Sequence, residues 1–163
     1  MEIAPNELIP NLIDEGEAFA RAIFSPYHLK KNGIEIKPNA FRFSEISVNR
    51  TKYSTGNFCK SKAKKIEHPE ANPPKVYRGF AVVSYIALSQ AGAFVKASKQ
   101  IEDAAHADIY FPESAPDEFG RPQSAEMNSI VDTFLPHTKY FADPSPALPT
   151  WEGEIFWVFR TPY

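Results

Sequence analysis

A single cysteine, Cys59, occurs in the sequence, so the chain closes no disulfide of its own and must hold its fold by packing. Glycine is scarce, with seven residues in 163. None falls in a G-x-G-x-x-G or G-x-x-x-x-G-K-[ST] arrangement, which removes the fingerprints of dinucleotide and P-loop binding. The four histidines, at positions 28, 68, 106 and 137, are too widely spaced for a zinc finger or an H-E-x-x-H helix, so neither a metal nor a cofactor is expected. A G-x-S-x-G elbow for a serine nucleophile is also missing. No apolar run reaches the roughly 18 residues that cross a bilayer, and "MEIAPNELIPNLIDEGEAF" lacks a basic segment followed by an apolar one. The expectation is a cytoplasmic protein with no membrane partner, in which the Asn49-Arg50-Thr51 triplet is no glycosylation site.

What is present fits one domain. A chain of 163 residues buries roughly two thirds of the surface it exposes when unfolded. The 15 prolines predict many loop boundaries and few long helices. Residues 1 to 82 carry 13 basic against 9 acidic side chains, and residues 83 to 163 carry 5 against 11, so the molecule is expected to be electrically polarised.

Asp14 and Glu17 have capping-box spacing, and Phe19, Ala22 and Ile23 follow at helical intervals, which predicts a helix over residues 14 to 24. Asn32-Gly33 with Ile34 and Ile36, then "EISVNR", predict two short strands. From Thr51 to Lys75 neither period appears, and residues 54 to 74 read as a long, mobile basic loop. "VYRGFAVVSYIAL" reads as a central strand buried on both faces, residues 77 to 88. "GAFVKAS" and "HADIYF" are shorter strands. Ser124 caps a helix over residues 125 to 135 with Met127, Ile130, Val131 and Phe134 on one face, and "GEIFWVF" reads as a buried terminal strand. Strands in runs with helices toward the two ends predict an α+β domain with a mostly antiparallel sheet and two covering helices.

Candidate chemistry gathers from several segments. His28 and His106 could serve as general base and general acid at one phosphate, with the Arg50 and Arg78 forks on its oxygens, which is metal-independent phosphodiester chemistry on RNA or a nucleotide, the work of a nuclease. The bland reading makes these four residues loop and strand side chains. In "AAHADIYFPE", His106, Asp108 and Tyr110 alternate with apolar residues, so they form either a reactive row or the wet face of a strand. "RTKYSTGNFCKSKAKK" adds Lys52, Lys60, Lys62, Lys64 and Lys65 with Tyr53 interleaved, a composition suited to phosphate contacts and base stacking. Cys59 beside Lys60 and Lys62 is either a lowered-pKa nucleophile or an incidental thiol. An enzyme and a non-enzymatic module for a nucleic acid or protein partner both remain open.

Two resemblances add to this. "KVYRGF" resembles the arginine-bearing strand of mono-ADP-ribosyltransferases and "WEGEIF" is similar to their Glu-x-Glu motif. That resemblance implies Arg78 on NAD, Glu154 as the catalytic acid and Glu152 as its assistant; the family's Ser-Thr-Ser strand has no counterpart here. "ARAIFSPYH", "AF", "SVNR", "RGFA" and "AHADI", in that order over about residues 20 to 112, resemble a group of small bacterial proteins of uncharacterised function. The likeness implies a bacterial source and a shared fold, and no activity.

Overall fold

A computed structural model describes residues 8–112, 124–154 and 159. Six strands, β1 (Ala18–Ser25), β2 (Glu45–Arg50), β3 (Val76–Ser84), β4 (Phe94–Ala97), β5 (His106–Tyr110) and β6 (Lys139–Ala142), form one sheet in the order β4-β5-β2-β1-β3-β6. Every neighbouring pair is antiparallel. Three helices accompany it, α1 (Gly56–Ile66), α2 (Tyr85–Ala91) and α3 (Ser124–Phe134). The α+β class and antiparallel sheet expected from the sequence are what the chain adopts.

Both faces of the sheet are covered. Phe19, Ile23, Ile46, Val48, Ala81, Val83, Ala107 and Ile109 pack under α2 and α3, where α3 presents Met127, Ile130, Val131 and Phe134 as its spacing predicts. Ala20, Phe24, Tyr77, Phe80 and Val82 pack on the other face against Cys59 and Ala63 of α1 and against Trp151 and Phe159. The β1–β3 ladder carries a bulge, since Ile23 pairs with Gly79 but Phe24 with Tyr77, leaving Arg78 as the extra residue. Gly79 is needed there: its φ is +150°, and a Cβ would lie 2.1 Å from the Phe141 carbonyl oxygen.

Four expectations are corrected. Residues 14 to 24 are not a helix. The capping contact does form, with Asp14 N–H donating to Glu17 Oε2 at 2.9 Å, but it closes a turn that feeds β1. Phe19 and Ile23 go to one face and Ala20 and Phe24 to the other, and a strand buried on both sides mimics helical spacing. The stretch 77 to 88 is divided at Ser84, whose hydroxyl caps α2 by accepting from Ala87 N–H, and β3 is fifth of six strands, next to the edge strand β6. Ile34 and Ile36 form no strand, only a bridge from Ile36 to Leu29 across a turn at Gly33. The supposed loop 54 to 74 contains α1, capped by Thr55 Oγ1 accepting from Phe58 N–H at 3.1 Å. The expected terminal strand falls mostly outside the described residues, as does the side chain of Ser124.

Arg50 ties this architecture together. It is fully buried; Nε and Nη2 donate to Glu17 Oε1 and Oε2 at 2.7 and 2.8 Å, and Nη1 and Nη2 donate to the carbonyls of Pro10 and Leu12. Removing one member of such a pair strands a buried charge. Glu17→Ala is expected to cost about 3–5 kcal/mol in guanidinium unfolding, and the double variant Glu17→Leu/Arg50→Met less than that. A midpoint unchanged in Glu17→Ala would show that the fork carries no stability.

Candidate functional site

β1 and β2 pair only at Phe19 with Arg50 and Ala20 with Asn49; beyond that point they part. Arg21 fills the gap. Its Nε donates to the Ala40 carbonyl at 3.1 Å and its Nη1 to the Ser47 carbonyl at 3.2 Å, standing in for the missing ladder. Ala40 lies in a 3-10 turn, Pro38–Phe41, that covers this end of the sheet. A cavity of about 640 Å³ lies between β1, that turn and the end of α1.

Among the described residues three cations line it, Arg21, Arg42 and Lys75, and no carboxylate does. Burial lowers the Arg21 guanidinium to about 10, which still leaves it charged at neutral pH. Its charge lies 5.6 Å above the Phe43 ring, and the Lys75 ammonium lies 4.6 Å above Phe24. Arg42 reaches Asp132 of α3 only at 3.7 Å, while its Nε is buried with no hydrogen-bond partner among the described residues. Phe24, Tyr27, Phe43 and Ile66 supply apolar wall, and His28 and Asn39 supply neutral polar groups.

His28 is the one sequence-predicted residue in this cavity, and its chemistry differs from expectation. Its Nδ1 accepts from Phe24 N–H at 3.1 Å, so in the neutral ring the proton resides on Nε2. Burial, with Arg21 and Lys75 nearby, lowers its pKa to about 4. At neutral pH the ring is therefore an uncharged donor with its lone pair already engaged, and it cannot act as a general base.

His106 is elsewhere. It pairs with Asn49, which pairs with Ala20, so it lies two strands, about 10 Å, from β1. His28 follows the far end of β1, past Phe24, which is four residues or about 13 Å beyond Ala20. The combined offset is roughly twice the span of about 5–8 Å that two imidazoles on one phosphate require. His106 is itself buried, with Nδ1 2.7 Å from Ser98 Oγ and 3.1 Å from the Ser98 carbonyl oxygen; its Nε2 stands 4.0 Å from Asp108 Oδ1. The row is thus neither a wet face nor joined to His28. Arg50 is spent on Glu17. Arg78 is exposed on the bulge, and its Nε donates to Ser25 Oγ at 3.0 Å.

The basic segment is mostly structural. Lys60 is fully buried, its Nζ 2.8 Å from Asp143 Oδ2 and donating to the carbonyls of Ser145 and Thr150 at 2.9 and 2.6 Å. Lys62 pairs with buried Asp103, and Lys64 with Glu67 and the Pro146 carbonyl. Tyr53 lies under the Arg50 guanidinium at 4.7 Å. Lys52 is exposed, 3.4 Å from Asp14, and Lys65 is exposed. Burial pushes the Cys59 thiol up, Asp103 adding to the effect, which opposes a nucleophilic role. Among the described residues no three metal-ligating side chains converge, and no helix is long and apolar enough to cross a membrane. Glu152 and Glu154 are exposed, and no contact joins either to Arg78 among the described residues.

Sequence reasoning missed Arg21, Arg42, Lys75, Asn39 and Phe43. One signal was available: Arg21 is a lone charge inside the apolar run "AFARAIF", a position that demands buried partners.

No protein-family model matches the sequence, and no curated protein or solved structure matches it either.

Two predictions follow from this geometry. In a ¹H–¹⁵N spectrum the His28 ring should show the Nε2–H tautomer and stay neutral down to about pH 4; titration near 6.5 would contradict its burial. Because the folded value lies below the unfolded one, stability is unaffected by His28 above pH 6.5 and falls by up to about 3 kcal/mol as pH drops from 6.5 to 4. Lys60→Ala should destabilise the fold by about 3–5 kcal/mol by stranding Asp143, whereas Lys65→Ala should change it by less than about 0.5 kcal/mol, both read from thermal and denaturant unfolding.

Proposed function

We propose that the protein is a non-enzymatic binding module for a phosphate-bearing ligand, taken up in the cavity between β1, the Pro38–Phe41 turn and the end of α1. The observation that carries the reading is the convergence of Arg21, Arg42 and Lys75 on a space lined, among the described residues, by no carboxylate. Arg42 has Asp132 3.7 Å away, but Arg21 and Lys75 have no carboxylate partner among the described residues, and cations in a partly enclosed site attract an anion more strongly than exposed ones, because fewer field lines pass through water. Arginine forks suit phosphate oxygens. The alternative, phosphodiester cleavage by His28 and His106, loses support from their separation and from the occupied Nδ1 of His28. An RNA contact along the basic segment loses support because Lys60, Lys62 and Lys64 are engaged within the fold.

Titration calorimetry with pyrophosphate tests it. Binding is expected, weakening as salt rises, with Lys75→Gln and Arg42→Gln each lowering affinity about five- to tenfold and Lys65→Gln and His106→Ala leaving it within about twofold, on the scale of one charge-assisted hydrogen bond. No heat of binding, or equal losses in Lys65→Gln, would overturn the reading. So would release of a product from RNA or nucleotides by a preparation in which His28→Ala and His106→Ala abolish turnover.

A further inference from the structure

We infer that the ligand of the cavity beside β1 is a nucleoside 5′-phosphate, held by its phosphate at Arg21, Arg42 and Lys75 and by its base against Tyr27 and Phe43. The inference rests on the anion-binding reading and adds what the rest of the cavity is for.

Size is the first argument. About 640 Å³ is in the range of sites that enclose ligands of drug size, roughly 300–1,000 Å³, and a bare phosphate would leave most of it to water. The wall chemistry is the second. Tyr27, Phe43 and Ile66 line the cavity yet are 42%, 47% and 50% exposed, so they form its solvent side, whereas the Arg21 guanidinium reaches inward to the Ala40 and Ser47 carbonyls. The Arg21 charge lies inward, Phe24 is buried beneath Lys75, and Tyr27 and Phe43 carry the aromatic surface that faces solvent. A ligand with an anionic head and a flat, apolar body matches that order, and a sugar phosphate alone matches only its inner half. Apolar side chains left half in water gain by being covered, and a base has a π-face on either side to cover them.

The neutral polar groups are the third argument. His28 contributes an uncharged Nε2–H donor, and Asn39 both donates and accepts through its amide. Such groups distinguish one nucleotide from another by hydrogen bonds and add no further charge. A nucleic acid strand fits less well. It needs cations repeated along a track, and the neighbouring lysines are engaged elsewhere: Lys30 is paired with Glu35, and Lys37 donates to the Pro26 carbonyl.

Calorimetry with the four common ribonucleoside 5′-monophosphates, ribose 5-phosphate and inorganic phosphate decides it. At least one mononucleotide is expected to bind about tenfold or more tighter than ribose 5-phosphate, the scale of one base stacked on an aromatic side chain. Tyr27→Ala should erode that preference while leaving ribose 5-phosphate affinity within about twofold; the side chain is partly solvent-exposed, and circular dichroism checks that the fold is kept. Equal affinity for ribose 5-phosphate and every mononucleotide would overturn this inference and leave the anion reading standing. Absence of binding by all the anions would overturn both. A short RNA lacking a terminal phosphate that displaces the mononucleotide would show that a strand is the ligand.

Discussion

β1 and β2 touch at one end only, and the Arg50–Glu17 fork sits at that end. Arg50 is the last residue of β2 and Glu17 immediately precedes β1, so the pair joins the start of one strand to the finish of the other. The same guanidinium binds the Pro10 and Leu12 carbonyls, which brings the preceding chain against the sheet. All of its nitrogens are engaged, and its positive charge is cancelled by a carboxylate a hydrogen bond away, which is what permits full burial. With this end closed, the strands are free to diverge at the other. The divergence leaves the Ser47 carbonyl of β2 to Arg21, which also takes the Ala40 carbonyl of the Pro38–Phe41 turn, and the cavity lies beside β1 under that turn.

How much of this was legible in the sequence depends on whether a buried face is apolar. β2, β5 and α3 were legible because their inward positions carry Ile, Val, Ala and Phe at a period of two or of three to four. α1 was not. Its inward positions are Gly56, Cys59, Lys60 and Ala63, which have helical spacing, but Lys60 occupies the middle of the face and hides the pattern from any count of hydrophobic residues. The lysine is affordable there only because Asp143, Ser145 and Thr150 receive it from a segment 83 or more residues away, and nothing local announces such partners. β1 failed in the opposite direction, since a strand buried on both faces supplies apolar residues at every spacing and so imitates a helix.

The candidate site divides along the same line. Histidines attract notice because they titrate near neutrality, yet both conspicuous ones are buried and bonded through Nδ1, His28 to a backbone N–H and His106 to Ser98. A histidine held in this way sets local geometry. In "AAHADIYFPE" the alternation does reflect a strand, but its His106 end is closed over: Lys62 of α1 reaches Asp103, and Asp103 accepts from Asn49, the residue beside His106. The polar row is therefore the margin of a second buried network.

Charge in a sequence and charge available to a ligand are different quantities, and the partners of each cation decide between them. Arg50, Lys60 and Lys62 meet carboxylates, so each pair is close to neutral at a distance. Arg21 meets carbonyl oxygens and the Phe43 ring, and Lys75 meets the Phe24 ring. A carbonyl dipole or an aromatic face orients a cation and offsets part of its lost hydration, but it brings no net negative charge. The cation's field is left to act on whatever enters. Fewer basic residues lie around the cavity than in the segment from Arg50 to Lys65, yet two of its three cations, Arg21 and Lys75, meet neutral groups, and Arg42 alone stands near a carboxylate, Asp132 at 3.7 Å.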